Sequence, residues 1–218
     1  MSPAVAVQDL GGEAVALGVG DFHSCVIIKG GNVKCWGYGH FGQLGNAFST
    51  YRSYIPVDVQ GLGGEVVEIS LGHKHTCALM EGGVVVKCWG WNEFGQIGDG
   101  STNNNRYTPS AVQNLGGEAV ALGLGDKHTC ALIKGGSVRC WGRNEFGPIG
   151  DGSTTSRPTP VDVQDLDEEV IGLAAGDFHT CVLLKSGHIK CWGQNYYGAV
   201  GDGSNSDQLT PVSVDISA

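Results

Sequence analysis

An all-β propeller of four blades, each four-stranded, is the fold this sequence predicts, and three observations predict it. The tripeptide Cys-Trp-Gly recurs at Cys35, Cys88, Cys140 and Cys191, at intervals of 53, 52 and 51 residues. A fixed period of that size marks a solenoid, a propeller or an array. No stretch inside the unit carries a helical apolar period over a helix length. Each unit instead shows four short strand signals and one long Gly-rich loop, the pattern of a propeller blade.

The second unit shows the elements in order. Pro56-Val57-Asp58-Val59 is a short alternating strand headed by a proline, which cannot donate to a ladder and so belongs at a sheet edge. Gly63-Gly64 then turns the chain into residues 65–71, where Val66, Val67 and Ile69 are β-branched and strand-prone. A hairpin follows. Residues 75–80 run to Gly82-Gly83, which allows the positive φ of a tight turn, and residues 84–89 run back. The unit closes with the loop 90–101 and leads to Pro109, where the next one starts.

Composition narrows the class. The chain has 218 residues, 13 basic against 22 acidic, a net charge of -9, and 37 Gly. The length fits a single repeat domain, 1–218, with a sizeable core. Nucleic acid is not an expected partner, because that needs clustered Lys and Arg. No apolar run reaches the ~18 residues of a membrane-spanning helix, so membrane insertion is not expected.

The proline-led strand occurs five times, at Pro3, Pro56, Pro109, Pro160 and Pro211, whereas the Cys hairpin occurs four times. The repeats therefore run approximately 3–55, 56–108, 109–159 and 160–210, with a surplus strand at 211–218. The expected architecture is a compact four-blade ring with one strand laid alongside, an open arc, or part of a larger ring completed by oligomerisation. A homo-oligomer is expected through the terminal blades, whose open faces seek partners.

The pattern Gly-x-x-His-Thr-Cys-Ala-Leu, a Gly turn, then Val-Lys-Cys-Trp-Gly-x-Asn-x-x-Gly-Gln-Ile-Gly is clearest at Gly72 to Gly98. It resembles the regulator of chromosome condensation repeat, here in a form with paired cysteines. The resemblance covers nearly the whole chain and implies a β-propeller of four-stranded blades, normally seven, against four here. It also implies nucleotide exchange on a small GTPase, but the sequence holds no insertion resembling the wedge that performs it.

Residues shared by all four units belong to the blade. Trp36, Trp89, Trp141 and Trp192 are expected to pack between blades with each indole N–H bonded. His23, His75, His128 and His179 stand two residues before a Cys, on the same side of the strand, and are expected to be buried and bonded to backbone. A titratable ring near the axis is the functional alternative. Counting back from the hairpin tips sets Cys25 opposite Cys35, Cys77 opposite Cys88, Cys130 opposite Cys140 and Cys181 opposite Cys191. Opposed side chains of this kind lie close to disulfide range. Eight reduced thiols acting as buried hydrophobes, or a zinc half-site of His75, Cys77 and Cys88, are the alternatives. Asp99-Gly100-Ser101 and Asp202-Gly203-Ser204 read as turns, since the EF-hand signature is missing. No metal or other cofactor is expected.

Function is expected where the units diverge on the surface. The residue after Trp-Gly is Tyr38, Trp91, Arg143 or Gln194, and two places on stand His40, Glu93, Glu145 and Tyr196. Tyr38, His40, Trp91, Arg143, Tyr196 and Tyr197 therefore form the candidate binding face, rich in aromatics and Arg. The linkers add Phe48, Tyr51, Arg52 and Tyr54, then Asn105, Arg106 and Tyr107. No catalytic residue is assigned, because no nucleophile elbow, phosphate loop or His-Glu-x-x-His occurs. The expected function is a non-enzymatic module that binds a protein partner, self-assembles, or both. The alternatives are an inhibitor of a secreted enzyme and a guanine-nucleotide exchange factor. Disulfides would imply an extracellular or cell-surface setting, and reduced cysteines a cytoplasmic one.

Overall fold

The structure is a computed structural model that describes residues 6–214, and every regular element in them is a strand. Sixteen strands form four antiparallel sheets. The first holds β1 (Ala14–Val19), β2 (His23–Ile28), β3 (Asn32–Tyr38) and β4 (Arg52–Asp58). The second holds β5 (Val66–Leu71), β6 (His75–Met80), β7 (Val86–Gly90) and β8 (Arg106–Ala111). The third is β9 (Ala119–Leu124), β10 (His128–Ile133), β11 (Val138–Gly142) and β12 (Arg157–Asp162). The fourth is β13 (Val170–Ala175), β14 (His179–Leu184), β15 (Ile189–Gly193) and β16 (Gln208–Ser213). Each sheet follows chain order, so each is a meander.

The first strands pack on one another in sequence, β1 on β5, β5 on β9 and β9 on β13, which puts them at the axis of a propeller. The four blades form an arc that is not closed into a ring. The apolar cores lie between blades. Cys25, Ile27 and Val33 of the first blade meet Ile69, Leu71 and Trp89 of the second. Homologous residues fill the next two junctions, around Trp141 and around Trp192.

The proline-led strand closes the preceding sheet instead of opening the next one. β4 contains Pro56 and pairs with β3, and β16 contains Pro211 and pairs with β15. Residues 211–213, set aside as surplus by the sequence count, thus belong to the fourth blade, and the strand expected at Pro3 lies outside the described residues. Pro56 is the fifth residue of its strand, not its head. It lies in a bulge, where three residues of β4 stand between the partners of Cys35 and Gly37, and there a missing N–H costs nothing. The hairpin tip of the second blade is wider than two residues. Gly83 donates to the Met80 carbonyl, and Val84 lies in the exposed turn, yet the register still pairs Cys77 with Cys88.

Candidate functional site: the loop face

All eight cysteines are paired within blades, as Cys25–Cys35, Cys77–Cys88, Cys130–Cys140 and Cys181–Cys191, each at a Cα separation of 4.1 Å. The hairpin registers place each pair directly opposite. Cys77 and Cys88 are therefore not thiolates, which removes the zinc half-site. These disulfides are compatible with an oxidising extracellular setting.

The histidines do not bond to backbone. His23 Nε2 lies 2.7 Å from the Thr76 hydroxyl of the next blade, and His75–Thr129 and His128–Thr180 repeat the contact at 2.9 and 3.0 Å. Each Thr hydroxyl donates its only hydrogen to a loop carbonyl of the preceding blade, that of Gln43, Gln96 or Pro148. The imidazole must then donate from Nε2, which fixes the neutral tautomer. Nδ1 of His23 and of His75 is buried without a partner. Burial, above all, lowers the pKa of His23 to about 4 and those of His75 and His128 to about 3. Trp89, Trp141 and Trp192 donate to the same three carbonyls at 3.0, 2.9 and 2.8 Å. Backbones must approach closely for this. A Cβ on Gly72 would stand 2.5 Å from both the Gly125 carbonyl and the His75 ring.

The first-to-second strand turns and the third-to-fourth strand loops emerge at one end of every blade. Buried Asn92, Asn144 and Asn195 shape the long loops. Asn92 Oδ1 accepts from Ile97 N, and its amide donates to the Ser101 carbonyl and hydroxyl. Asn144 and Asn195 repeat this. The first loop has Gly39 at that position and Ala47 at φ +68° where the later loops carry Gly. Asp99 accepts from Ser101 N, Ser101 Oγ and Arg106. Burial alone would raise its pKa, but the bonds from Ser101 and Arg106 bring it below the ordinary value. Its oxygens are thus engaged in a turn, and Arg106 is a loop brace rather than a free contact.

Four of the six candidate face residues come together. Tyr38 packs near His40 (6.3 Å between ring centroids), Phe41 (6.1 Å) and Tyr51 (5.5 Å). From Phe41 a row of alternating rings and cations crosses the loop face. Lys74 Nζ is 5.1 Å from the rings of both Phe41 and Trp91, and Lys127 Nζ is 5.2 Å from Trp91 and 5.7 Å from Phe94. Arg143 lies 5.0 Å from Phe94 and 6.0 Å from Phe146 and also pairs with Glu145. Phe22, Tyr38 and Lys74 line a cleft of about 400 Å³. Tyr196 and Tyr197 pack edge-on against each other at 4.8 Å and are strongly exposed, at the end of the arc and outside this row. In the first linker, Arg52 lies over Tyr51 and Tyr54.

The sequence reading missed Phe22, Lys74, Lys127 and Phe178, which precede the four histidines. Their divergence, two aromatics and two lysines at one repeat position, was the signal that could have found them. It also missed Phe41, Phe94 and Phe146, which recur in the repeat and so read as scaffold.

Comparison with known proteins matches the same repeats. The family model for the regulator of chromosome condensation (RCC1) repeat matches residues 14–43, 66–96, 119–147 and 170–199, and a second form matches 30–79, 86–132 and 135–183. The ultraviolet-B receptor UVR8 of Arabidopsis thaliana is 33% identical over 205 residues, 93% of this chain and 46% of that protein. The probable E3 ubiquitin-protein ligase HERC4 of Rattus norvegicus is 31% identical over 206 residues, covering 93% and 19%. The chain thus spans less than half the length of these relatives. Among solved structures, human WBSCR16 superposes with a TM-score of 0.83 at 23% identity, over 95% of this chain and 54% of that one. Prp20p of Saccharomyces cerevisiae gives 0.83 at 22%, over 95% and 52%. With four matched units over more than half of its residues, the chain belongs to the regulator of chromosome condensation (RCC1) repeat family.

Proposed function

We propose that the chain is a non-enzymatic interaction module that docks a protein partner on its loop face. The observation that carries this reading is the continuous row in which Lys74, Lys127 and Arg143 alternate with Phe41, Trp91, Phe94 and Phe146. Aromatic rings and Arg are the side chains that dominate binding at protein interfaces. Stacking holds each cation over a ring before any partner arrives, so little side-chain freedom is lost on docking. The cleft at Phe22, Tyr38 and Lys74 offers a recess for one inserted side chain. Tyr38, His40, Trp91 and Arg143 form the docking face, and Tyr196 and Tyr197 extend it at one end.

The relatives support the class of function. A photoreceptor, a probable ubiquitin-protein ligase and a yeast RCC1 solved in complex with Kap60 are all proteins of regulation or assembly. The four disulfides favour work outside a reducing compartment, in an extracellular or cell-surface setting. The test is affinity capture from the native source with the wild-type chain and with the double variant Trp91→Ala, Arg143→Ala. A partner held by the wild type and lost by the variant, with unchanged circular dichroism, is the expected result. A partner held equally by both would refute the face.

A further inference from the structure

The three cations of the loop-face row are not equivalent. Lys127 pairs with Asp126 at 3.3 Å and Arg143 pairs with Glu145, so each carries its own counter-ion. Lys74 carries none. Its ammonium stands half-buried between Phe41 of the first blade and Trp91 of the second, 5.1 Å from each ring centroid. Among the described residues, every other Lys and Arg except Arg52 has a carboxylate or a carbonyl partner. Arg52 lies in a different setting, exposed to solvent beside Tyr51 and Tyr54. Lys74 is thus the one partly desolvated cation of the described residues that has only rings around it.

The carboxylates of the neighbouring turns are already engaged. Asp21, His73 and Asp126 hold one repeat position, directly before Phe22, Lys74 and Lys127. His73 Nδ1 lies 2.6 Å from Asp21 Oδ2, and Asp126 serves Lys127. What remains beside Lys74 is the cleft of about 400 Å³ that it shares with Phe22 and Tyr38. Those two rings stand 6.2 Å apart, and Tyr38 is 6.1 Å from Phe41. Lys74, Phe41, Tyr38 and Trp91 all lie where the first blade meets the second, a junction whose two blades the chain contains. A ring attracts a cation far less than a carboxylate does in the same partly dry place. The group that completes this recess is therefore an anion carried on an apolar body.

We propose that the docked partner presents a linear peptide segment in which one carboxylate is flanked by apolar side chains. The carboxylate accepts from Lys74 Nζ, one apolar neighbour enters the cleft against Phe22 and Tyr38, and the other lies on Trp91. The inference rests on the loop face being the docking face and adds the chemistry that this face selects. A run of acids is not the ligand. Asp126 and Glu145 neutralise the next two cations of the row, and Asp21 directly precedes Phe22, so a second and third carboxylate would meet like charge. A carboxylate without apolar neighbours is not the ligand either, because an ion pair left open to water returns little.

Selection of a displayed library of random linear peptides on the oxidised full chain tests it. The expected pool is enriched in Asp or Glu next to Phe, Tyr, Leu or Ile. A selected peptide is then titrated calorimetrically against the wild type and against Lys74→Met, which keeps an apolar stem between the rings and removes the charge. Replacing the peptide's acid by its amide should weaken wild-type binding about ten-fold or more, Lys74→Met should weaken the parent peptide as much, and the two changes together should be no worse than either. Losses that multiply would overturn the contact, as would a pool without acids or no enrichment at all. Two failures are distinguishable. Peptides without acids that are still lost by the Trp91→Ala, Arg143→Ala variant would remove the role of Lys74 and leave the docking face, whereas peptides indifferent to all three residues would remove both. A further readout needs no variant. Raising sodium chloride from about 0.05 to about 0.5 M should weaken the acidic peptide several-fold and spare its amide form, since that span shortens the screening length about three-fold. An equal salt dependence for the two peptides would contradict the proposal.

Discussion

Lowering the pH from 7.5 to 5 should destabilise this chain far more than its surface charges require, and the three inter-blade histidines set the size of the loss. His23, His75 and His128 each donate from Nε2 to a hydroxyl that has already spent its hydrogen on a carbonyl. Burial, the main cause, depresses their pKa values from 6.5 to about 4, 3 and 3. A depressed histidine pKa means that below 6.5 the unfolded chain binds a proton that the folded chain refuses. Stability is therefore full above the unfolded value and falls as the pH drops from 6.5 toward 4. At pH 5 each histidine costs about 2 kcal/mol, and the three together about 6 kcal/mol, a large share of a domain's usual stability. Guanidinium unfolding of the oxidised protein at half-unit pH intervals measures this, with a limiting slope near three protons, or about 4 kcal/mol per pH unit. His128→Gln should reduce that slope by one proton whatever it does to stability at pH 7.5. A wild-type slope below one proton between pH 6 and 5 would refute the buried neutral relay.

Three further outcomes are expected. Asn144→Ala removes the bond from the buried Ile149 N–H and those to Asp151 and Ser153, and should cost about 2–4 kcal/mol in thermal unfolding, because a buried donor is left unmet. A loss within experimental error would show that the loop does not depend on it. Ala47→Gly relieves a positive φ of 68° and should stabilise by about 1 kcal/mol, a gain readable as a raised midpoint. Mild thiol reduction of the chain followed by alkylation and mass spectrometry should label Cys181 and Cys191 first, because Cys181 is half-buried. The other six cysteines are fully buried under a neighbouring blade or within one, so first labelling at Cys77 and Cys88 would contradict that order.

The blade was legible in the sequence because its instructions are local. Gly82-Gly83 and the three-residue tips fix hairpin register, and register alone brings Cys77 to Cys88 and Cys25 to Cys35. What lies between blades was less legible. The partner of His23 is Thr76, 53 residues away, and a repeat seen in one dimension does not say which copy's hydroxyl meets which copy's ring. The same reason hid the loop-face row. Lys74 comes from a turn of the second blade and Phe41 from a loop of the first, so their stacking is a property of the junction. Pro56 misled in another way. Its missing donor correctly marks a sheet edge, but a bulge lets it sit inside the strand, which shifted the apparent boundary of the unit.

The position of the disulfides governs how the molecule deforms. Each one closes a loop of only 10 or 11 residues within a single blade. By loop-closure entropy each stiffens its own hairpin by about 2.5–3 kcal/mol. No disulfide crosses a junction, so mechanically the chain is four stapled plates on three joints held by the connecting peptide, packing, hydrogen bonds and the cation–ring contacts of the loop face. Bending and twist are therefore confined to the seams. Force applied along the arc should separate neighbouring blades before it unravels any of them, and reduction should soften the plates while leaving the angle between them to the histidine, threonine and tryptophan contacts.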